Sequence, residues 1–479
     1  MFASVLNSIF VLLEVIVLFN AIIIVHELGH FLAARWRGLH IEEFGVWFGK
    51  PLWRKKIGGV YYSLGSIPAG GFVKLPQLAP MEALEGETEI DKAQLAPISP
   101  LDKIIVAFAG PLFSMGLAFA LACGVWLVGK PTSSIETSTV IGFVEENSPA
   151  EKAGLQPGDR ILEVDGHPVH RYAGMSDSVM WYIIRSEGET IPFKVERNGK
   201  ELTLNSGWTR PETSGWYHRE GLRQVGIAGA MPTKIEAVLP GAPAEKAGLK
   251  PGDTITHVNG TPIFTPLPLI KGIADAKGEP VNLTIKRDPD EWFNLSIKPE
   301  MIPDATGKGK MSGIGIQWDY GDVVLTHPGP VQQIRESLGT IGSMAGALFS
   351  PKSDVKAQHF SGPVGIGRVY FNILSNEQGW RMALWFSVFF NVNLAVLNML
   401  PLPVLDGGHI TLAILESIRR KPLNTRFLEV LQTGCALFLI GYILYVSFYD
   451  IVDLPWKKLR PGEATPTAQT ATPEAPKAP

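Results

Sequence analysis

The chain has 479 residues, of which 46% are hydrophobic and only 19% are charged, and its mean hydropathy is +0.13. A chain this long exceeds one hydrophobic core, and this balance is typical of a membrane protein with extramembrane insertions rather than of a soluble enzyme. The net charge of −3 gives no basis for nucleic-acid binding, and the two cysteines, Cys123 and Cys435, lie in apolar runs, which argues against a disulfide framework or a cysteine zinc site.

The first predicted element is a membrane helix over residues 5–34, because Glu14 is the only charged residue between Val5 and Val25. No Lys or Arg precedes Arg35, and the apolar run is longer than the core of a signal peptide. We therefore expect this helix to be retained as the first membrane span.

The end of this helix carries His26-Glu27-Leu28-Gly29-His30. Histidines four residues apart lie on one face of a helix, so both imidazoles can bind one Zn²⁺, and the glutamate between them can act as a general base toward water. The alternative is an ordinary helix end with a histidine pair and a solvated glutamate. If the zinc interpretation holds, the position of the motif predicts hydrolysis inside or beside the bilayer.

Two apolar, glycine-rich stretches follow at residues 44–51 and 61–75, and they predict strands that can offer a free edge. A second membrane helix is predicted over residues 104–128, and it contains Ala109-Gly-Pro-Leu-Phe-Ser114. The segment between the two helices is predicted to be cytoplasmic by its basic residues, which are Arg35, Arg37, Lys50, Arg54, Lys55 and Lys56.

The long insertion after the second span contains an internal repeat. Residues 148–159 recur at 242–253 with ten of twelve positions identical, at an offset of 94 residues. Each copy predicts a short helix, then a strand, then an Asp-Gly or Asn-Gly turn. This period is too long for a solenoid, so we expect two copies of one small domain.

A mildly amphipathic helix is predicted over residues 329–350, either at the membrane surface or packed in the ordinary way. The third span, over residues 382–400, ends at Pro401 and Pro403. Asp406 follows at a depth where a charge is costly unless it is paired or binds a metal, so it is a candidate third zinc ligand; the alternative is a carboxylate that caps a loop. His409 is a rival ligand.

A fourth span is predicted over residues 430–448, and residues 461–479 are too rich in Pro, Ala, Thr and Glu to form a core, which predicts a disordered tail. Basic residues 419–421 and Arg426 place the segment between the third and fourth spans in the cytoplasm. The N-terminus, the large insertion and the C-terminus are then expected outside.

Taken together, three patterns resemble the site-2 protease family: HExxH in a first membrane helix, NxxPxPxLDGG after a later one, and SPAxxAGLxxGDxIxxVxG in the repeat, with Ala242 in place of the Ser in the second copy. The likeness is greatest to its bacterial members, the regulator-of-sigma-E proteases with tandem PDZ domains, and it covers the chain from Val5 to Phe448. PDZ domains bind extended peptides by adding a strand to a sheet edge.

The resemblance implies roles for particular residues. His26, His30 and Asp406 would bind zinc, Glu27 would be the general base, and Asn398 would help to hold the substrate. The stretches after the first span resemble the family's membrane-dipping β-hairpins, whose edge clamps the substrate, and the residues implied there are Gly45, Phe48, Gly70, Gly71, Phe72 and Val73. Structural positions near the site would be Pro401, Pro403, Gly407, Gly408, Gly110 and Ser114, although Ser114 stands where the family usually has Asn, which leaves its contribution open.

The predicted fold is therefore a multi-pass α-helical membrane protein of about four transmembrane helices, with membrane-associated β-hairpins and two extracytoplasmic PDZ domains of the α+β class. The predicted units are an N-terminal membrane region at 1–130, PDZ domains at 131–210 and 222–302, a C-terminal membrane region at 328–455 and the tail at 461–479.

The predicted function is that of a zinc-dependent intramembrane endopeptidase of the bacterial inner membrane, with its active site toward the cytoplasmic side. By resemblance, its partners would be the lipid bilayer and single-span substrates of the anti-sigma factor type, cut after a prior cleavage, together with remnant signal peptides. The PDZ copies would bind an extended peptide or act as a size filter over the site. Two alternatives are a catalytically silent, membrane-tethered PDZ adaptor and a transporter that uses zinc in another role.

Overall fold

The computed structural model describes residues 2–78, 95, 98–213, 215, 217–288, 291–303, 310–321, 323–376, 378–421 and 424–453. In chain order its helices are α1 Phe2–Trp36, α2 Pro100–Val128, α3 Ser134–Thr137, α4 Pro149–Lys152, α5 Val179–Arg185, α6 Pro243–Lys246, α7 Leu267–Asp275, α8 Pro330–Phe349, α9 Pro363–Leu374, α10 Gly379–Asn398, α11 Asp406–Arg419 and α12 Thr425–Val452. A 3₁₀ turn at Ala357–His359 lies between α8 and α9.

The strands are more numerous than the helices and are short. They are β1 Glu43–Phe48, β2 Trp53–Ile57, β3 Val60–Leu64, β4 Ile67–Lys74, β5 Lys130–Ser133, β6 Ile141–Val144, β7 Arg160–Val164, β8 His167–Pro168, β9 Ile191–Arg197, β10 Lys200–Ser206, β11 Ile227–Gly229, β12 Ile235–Val238, β13 Thr254–Val258, β14 Thr261–Pro262, β15 Val281–Arg287, β16 Glu291–Ile297, β17 Glu300–Pro303, β18 Lys310–Gly313, β19 Ile316–Trp318 and β20 Val323–Thr326.

Four helices of the described ranges, α1, α2, α10 and α12, are long and apolar enough to cross a membrane. A helix of suitable length and hydropathy is thus present at each of the four predicted places, while the helix ends differ by a few residues. The difference arises because capping groups lie outside the apolar runs. At the start of α2, for example, Ser99 accepts a hydrogen bond from the Asp102 N–H and Pro100 takes the first helical position.

The helix α2 is the centre of the membrane region, where it packs against α1, α10 and α11. Its crossing with α1 is close because Gly29 has no side chain: a Cβ atom there would lie 2.4 Å from the Ala109 carbonyl oxygen. This contact brings the HExxH face of α1 directly onto α2.

The two stretches predicted as hairpins supply β1, β3 and β4 of one four-stranded sheet instead, and the segment between them supplies β2. The strand order is β2-β3-β1-β4. Strand β1 is parallel to β3 and antiparallel to β4, so it lies between two strands that are consecutive in the chain. Only β2 and β3 form a hairpin. The sheet packs on α1 through rings such as Phe31 and Phe44, whose centroids are 5.3 Å apart, and β4 is left at one edge.

The internal repeat is confirmed as two copies of one topology. The first copy has the sheet β10-β9-β7-β8 with a separate pair β6–β11, and the second has β14-β13-β15-β16 with the pair β12–β19. The predicted turns are present at Asp165-Gly166 and Asn259-Gly260, where all four residues have positive φ. We refer to these units as the first repeat and the second repeat.

The predicted amphipathic helix is α8. It lies against α2 and α10, where Gln333 Nε2 donates a hydrogen bond of 3.0 Å to the Ala122 carbonyl. The first repeat also contacts α8, where Trp181 Nε1 donates a hydrogen bond of 2.8 Å to Ser343 Oγ. The predicted tail at 461–479 lies outside the described residues.

Candidate metal centre

The last turns of α1 place His26 and His30 side by side. Both imidazoles are buried, with 6% and 8% of the residue surface exposed, and their ring centroids are 4.9 Å apart. The spacing of four residues has this result because one helical turn separates the two Cβ atoms on the same face. A pair of buried imidazoles facing each other needs a cation or a proton between them.

The helix α2 fixes the orientation of both rings. The Nδ1 atom of His30 lies 2.8 Å from the Val106 carbonyl oxygen, which can only accept, so Nδ1 carries the proton and Nε2 of the neutral ring presents its lone pair inward. The Nδ1 atom of His26 lies 2.9 Å from Ser114 Oγ. The two nitrogens left to face the site are therefore both Nε2.

Asp406 reaches the same point from the opposite side of the bundle. After α10 ends at Asn398, the chain turns through Pro401 and Pro403, and α11 begins at Asp406 itself. The two glycines that follow allow a close backbone approach: a Cβ at Gly407 would lie 2.2 Å from the Met399 oxygen, and one at Gly408 would lie 2.0 Å from the Leu402 oxygen. Neither glycine has a positive φ, so these positions require glycine because the backbone segments approach closely, not because of the backbone conformation.

The three side chains form a compact set of donor atoms. Asp406 Oδ2 is 3.2 Å from His26 Nε2, Asp406 Oδ1 is 3.3 Å from His30 Nε2, and the two Nε2 atoms are 3.3 Å apart. Ligands at about 2.1 Å in a tetrahedral zinc site are about 3.4 Å from one another, so these spacings fit zinc. Buried Asp406 Oδ2 has no hydrogen-bond partner within the described residues, as expected for an atom that binds a metal. His409, the rival ligand, is not part of this set.

Glu27 lies beside this set and next to strand β4. The Val73 N–H is hydrogen-bonded to its carboxyl group, and a Cβ at Gly71 would lie 3.5 Å from its Cγ. The glutamate therefore lies between the three donor atoms and the edge strand.

The predicted clamp residues gather along β1 and β4. Gly45 pairs with Phe72 across the two strands, and the Phe48 and Phe72 rings are stacked with centroids 5.8 Å apart. Gly70 has φ +79°, and a Cβ there would lie 2.5 Å from the Phe48 ring. These residues are thus brought together with Glu27, whereas half-buried Asn398 at the end of α10 makes no side-chain hydrogen bond within the described part of the chain.

Two contributions to the site were not predicted from the sequence. The Val106 carbonyl holds His30, and a backbone atom gives no sequence signal. Gly29 allows α1 to meet α2, and its place inside the HExxH motif is the signal that could have indicated it. Gly110 was predicted near the site, and the structure gives the reason: a Cβ there would lie 2.1 Å from His30 Nε2.

Ser114 holds one candidate ligand in place, and this has a measurable consequence. The residue is fully buried and its hydroxyl is the partner of His26 Nδ1. We expect Ser114→Ala to lower zinc affinity about 10–100-fold, the usual effect of removing the outer partner of a metal-binding histidine. Competition with a chromogenic chelator measures this directly. Unchanged zinc affinity in Ser114→Ala would show that the contact does not orient the ring.

Comparison with known proteins agrees with this geometry. The model of peptidase family M50 matches residues 14–441. The chain is 30% identical to the regulator of sigma-E protease RseP of Escherichia coli over 90% of its length and 94% of that protein. It is 31% identical to a Neisseria meningitidis protein that is a zinc metalloprotease by name (89% and 95% covered), and 29% identical to the protease RseP of Yersinia pestis (88% and 96%).

Proposed function

The chain belongs to peptidase family M50 and is a zinc metalloprotease, and from this we propose that it cuts peptide bonds inside a membrane. The observation that carries the proposal is the location of the site. His26, Glu27 and His30 lie on a helix that can span a bilayer, and Asp406 reaches them from the turn that follows another such helix.

Each residue of the site would have a separate role in the reaction. His26, His30 and Asp406 would hold the zinc ion, which supplies a Lewis acid that polarises the scissile carbonyl and lowers the pKa of water. Glu27 takes a proton from the attacking water and returns it to the leaving amine. The Val106 carbonyl fixes the tautomer of His30, and Ser114 orients the His26 ring so that its Nε2 faces the site.

The edge strand β4 would hold the substrate in an extended conformation. A transmembrane helix hides its peptide bonds in its own hydrogen bonds, and exposed backbone groups cost several kcal/mol each in hydrocarbon. Pairing with β4 compensates the N–H and C=O groups that unwinding releases. Gly70, Gly71, Phe72 and Val73 are placed for this beside Glu27, and Asn398 would bind the polar backbone from the other side.

The substrate class follows from the family and the extramembrane part. We propose single-span membrane proteins of the anti-sigma factor type, cut after a prior cleavage outside the membrane, and remnant signal peptides. The name of the Escherichia coli relative supports a link to sigma-E regulation. The two repeats would be PDZ domains on the extracytoplasmic side of a bacterial inner membrane, with the metal centre toward the cytoplasmic side, as the basic residues around it suggest.

Cleavage of a purified single-span substrate by the full chain in detergent tests the proposal. We expect cuts that mass spectrometry maps inside the substrate's transmembrane segment, loss of cutting after chelation and its return when zinc is added. Cuts that fall only outside the transmembrane segment would contradict intramembrane proteolysis. A chain that binds zinc and substrate but cuts nothing would favour the adaptor alternative.

A further inference from the structure

One buried amide in the first membrane helix joins that helix to the edge strand of the sheet. Asn20 lies on α1 between apolar residues, with only 7% of its surface exposed. Its Nδ2 atom is 2.7 Å from the Ile16 carbonyl oxygen, one turn earlier in the helix, and 3.3 Å from the Pro68 carbonyl oxygen in β4. The side chain therefore bonds both its own helix and a strand that lies 48 residues later in the chain.

The contacts of Asn20 determine which way its amide points. A carbonyl oxygen can only accept a hydrogen bond, so the group that faces both carbonyls must be the NH2 group, which has two hydrogens to donate. The opposite atom, Oδ1, is buried and has no hydrogen-bond partner within the described ranges. A polar side chain on a membrane-spanning helix is costly, which indicates a specific role for this one.

Asn20 and Glu27 both bond to β4 from the same face of α1. They are seven residues apart, which is close to two helical turns. The Glu27 carboxyl group accepts a hydrogen bond from the Val73 N–H. The strand β4 is thus bonded to α1 near both of its ends, at Pro68 by the amide and at Val73 by the carboxyl group.

The two ends of β4 are held in different ways. At the C-terminal end, Val73 is buried, with 7% of its surface exposed. At the N-terminal end, the side chains of Ile67 and Pro68 are exposed, and proline has no N–H to donate to a strand ladder. The register with β1 is also irregular near this end. Packing and pairing are therefore weak where the Asn20 amide binds.

We propose that Asn20 is a positioning residue for the reaction: it holds the N-terminal half of β4 against α1, so that the edge for the substrate is already ordered beside Glu27. Without this bond, that half of the strand must be ordered when the substrate binds, which weakens the apparent affinity. Glu27 and the three zinc donors keep their own contacts, so the chemistry on a bound substrate remains. The use of β4 by the substrate rests on the proposed function, whereas the tether itself does not.

Hydrogen–deuterium exchange of the full chain in detergent tests the tether without any substrate. Asn20→Ala removes the whole amide. Asn20→Ser removes the bond to Pro68 alone, because a serine hydroxyl can bond the carbonyl four residues earlier, as Ser387 does at 2.7 Å, but is too short to reach another segment. We expect the amides of residues 69–71 to exchange about tenfold faster in both variants, as for loss of one hydrogen bond.

Asn391→Ala is the matched control. Asn391 is a fully buried asparagine of α10, and its Nδ2 donates a hydrogen bond of 2.8 Å to the Ser387 carbonyl, four residues earlier. Its Oδ1 also lacks a partner among the described residues. Within the same ranges it differs from Asn20 in making no bond to a second segment. We expect Asn391→Ala to leave the exchange of residues 69–71 as in the wild type.

Kinetics with a single-span substrate test the positioning role. We expect Asn20→Ala and Asn20→Ser to raise KM about 3–10-fold and to keep kcat within about twofold, because binding is affected and chemistry is not. A purely structural defect would reduce the amount of folded enzyme, so it would lower kcat and leave KM unchanged. The control Asn391→Ala should leave KM as in the wild type.

Unchanged exchange at residues 69–71 in both Asn20 variants would overturn the tether, and so would an equal increase in Asn391→Ala. A lower kcat with an unchanged KM would overturn the positioning role. The exchange experiment involves no cleavage, so a chain that cuts nothing inside a membrane would refute the proposed function and leave the tether intact. Conversely, intramembrane cutting together with unchanged exchange would refute the tether alone.

Discussion

Glu27→Gln is expected to lower the rate of peptide-bond cleavage about 10²–10⁴-fold, the usual contribution of a general base. Glutamine has nearly the same shape and can still accept the Val73 N–H, but it cannot take a proton from water. The zinc content should stay at one ion per chain, because Glu27 is not one of the three converging donors. Rates with a single-span substrate and metal analysis of the same sample measure both quantities.

The control for this variant is Glu14→Gln on the same helix. Glu14 is exposed and lies twelve residues before His26, about 18 Å along the helix. We expect its loss to leave cleavage unchanged. Equal rates for Glu27→Gln and wild type would remove Glu27 from the mechanism, and loss of zinc in Glu27→Gln would mean that the glutamate acts by holding the metal.

Gly110→Ala should strongly weaken zinc binding although it adds only one methyl group. The added Cβ would lie 2.1 Å from His30 Nε2 and 2.5 Å from its Cε1, so the imidazole must leave its position. The ring has little freedom to adjust, because Nδ1 is bonded to the Val106 carbonyl and Asp406 lies on the other side. We expect zinc affinity to fall at least as much as on loss of an outer partner of a metal-binding histidine, which costs about 10–100-fold, because here the ligand itself is displaced.

Gly116→Ala is the matched control, since the same helix has open space around that position and no atom lies within 4 Å of the added Cβ. Alanine also favours a helix by about 1 kcal/mol over glycine, so neither substitution weakens α2 itself. We expect Gly116→Ala to bind zinc like the wild type. Normal zinc affinity in Gly110→Ala, with both variants monodisperse and helical, would show that His30 is not held as the structure has it.

Features that depend on local pattern could be read from the sequence. The four spans follow from the length of apolar runs, and the facing histidines follow from their spacing of four residues on a helix. The repeat with its Asp-Gly and Asn-Gly turns was also predicted, because turn type depends on residues that tolerate positive φ. In each case, neighbours in the chain are sufficient to determine the conformation.

Contacts between distant segments could not be read in this way. From the sequence, Asp406 could be a zinc ligand or a carboxylate that caps a loop, and His409 was a rival ligand. Only the packing of the helices brings Asp406 to His26 and His30, which lie 380 and 376 residues earlier in the chain. The way in which helices and strands meet likewise decides three other features. These are the insertion of β1 between β3 and β4, the contact of the Ser114 hydroxyl with His26, and the hydrogen bond from the Tyr172 hydroxyl to the Ile227 carbonyl in β11. For the motif on α1, the sequence determined which face carries the two histidines and the base, because helical periodicity is local. The tertiary structure decided which side chains meet that face, because packing between helices depends on shape across the whole bundle.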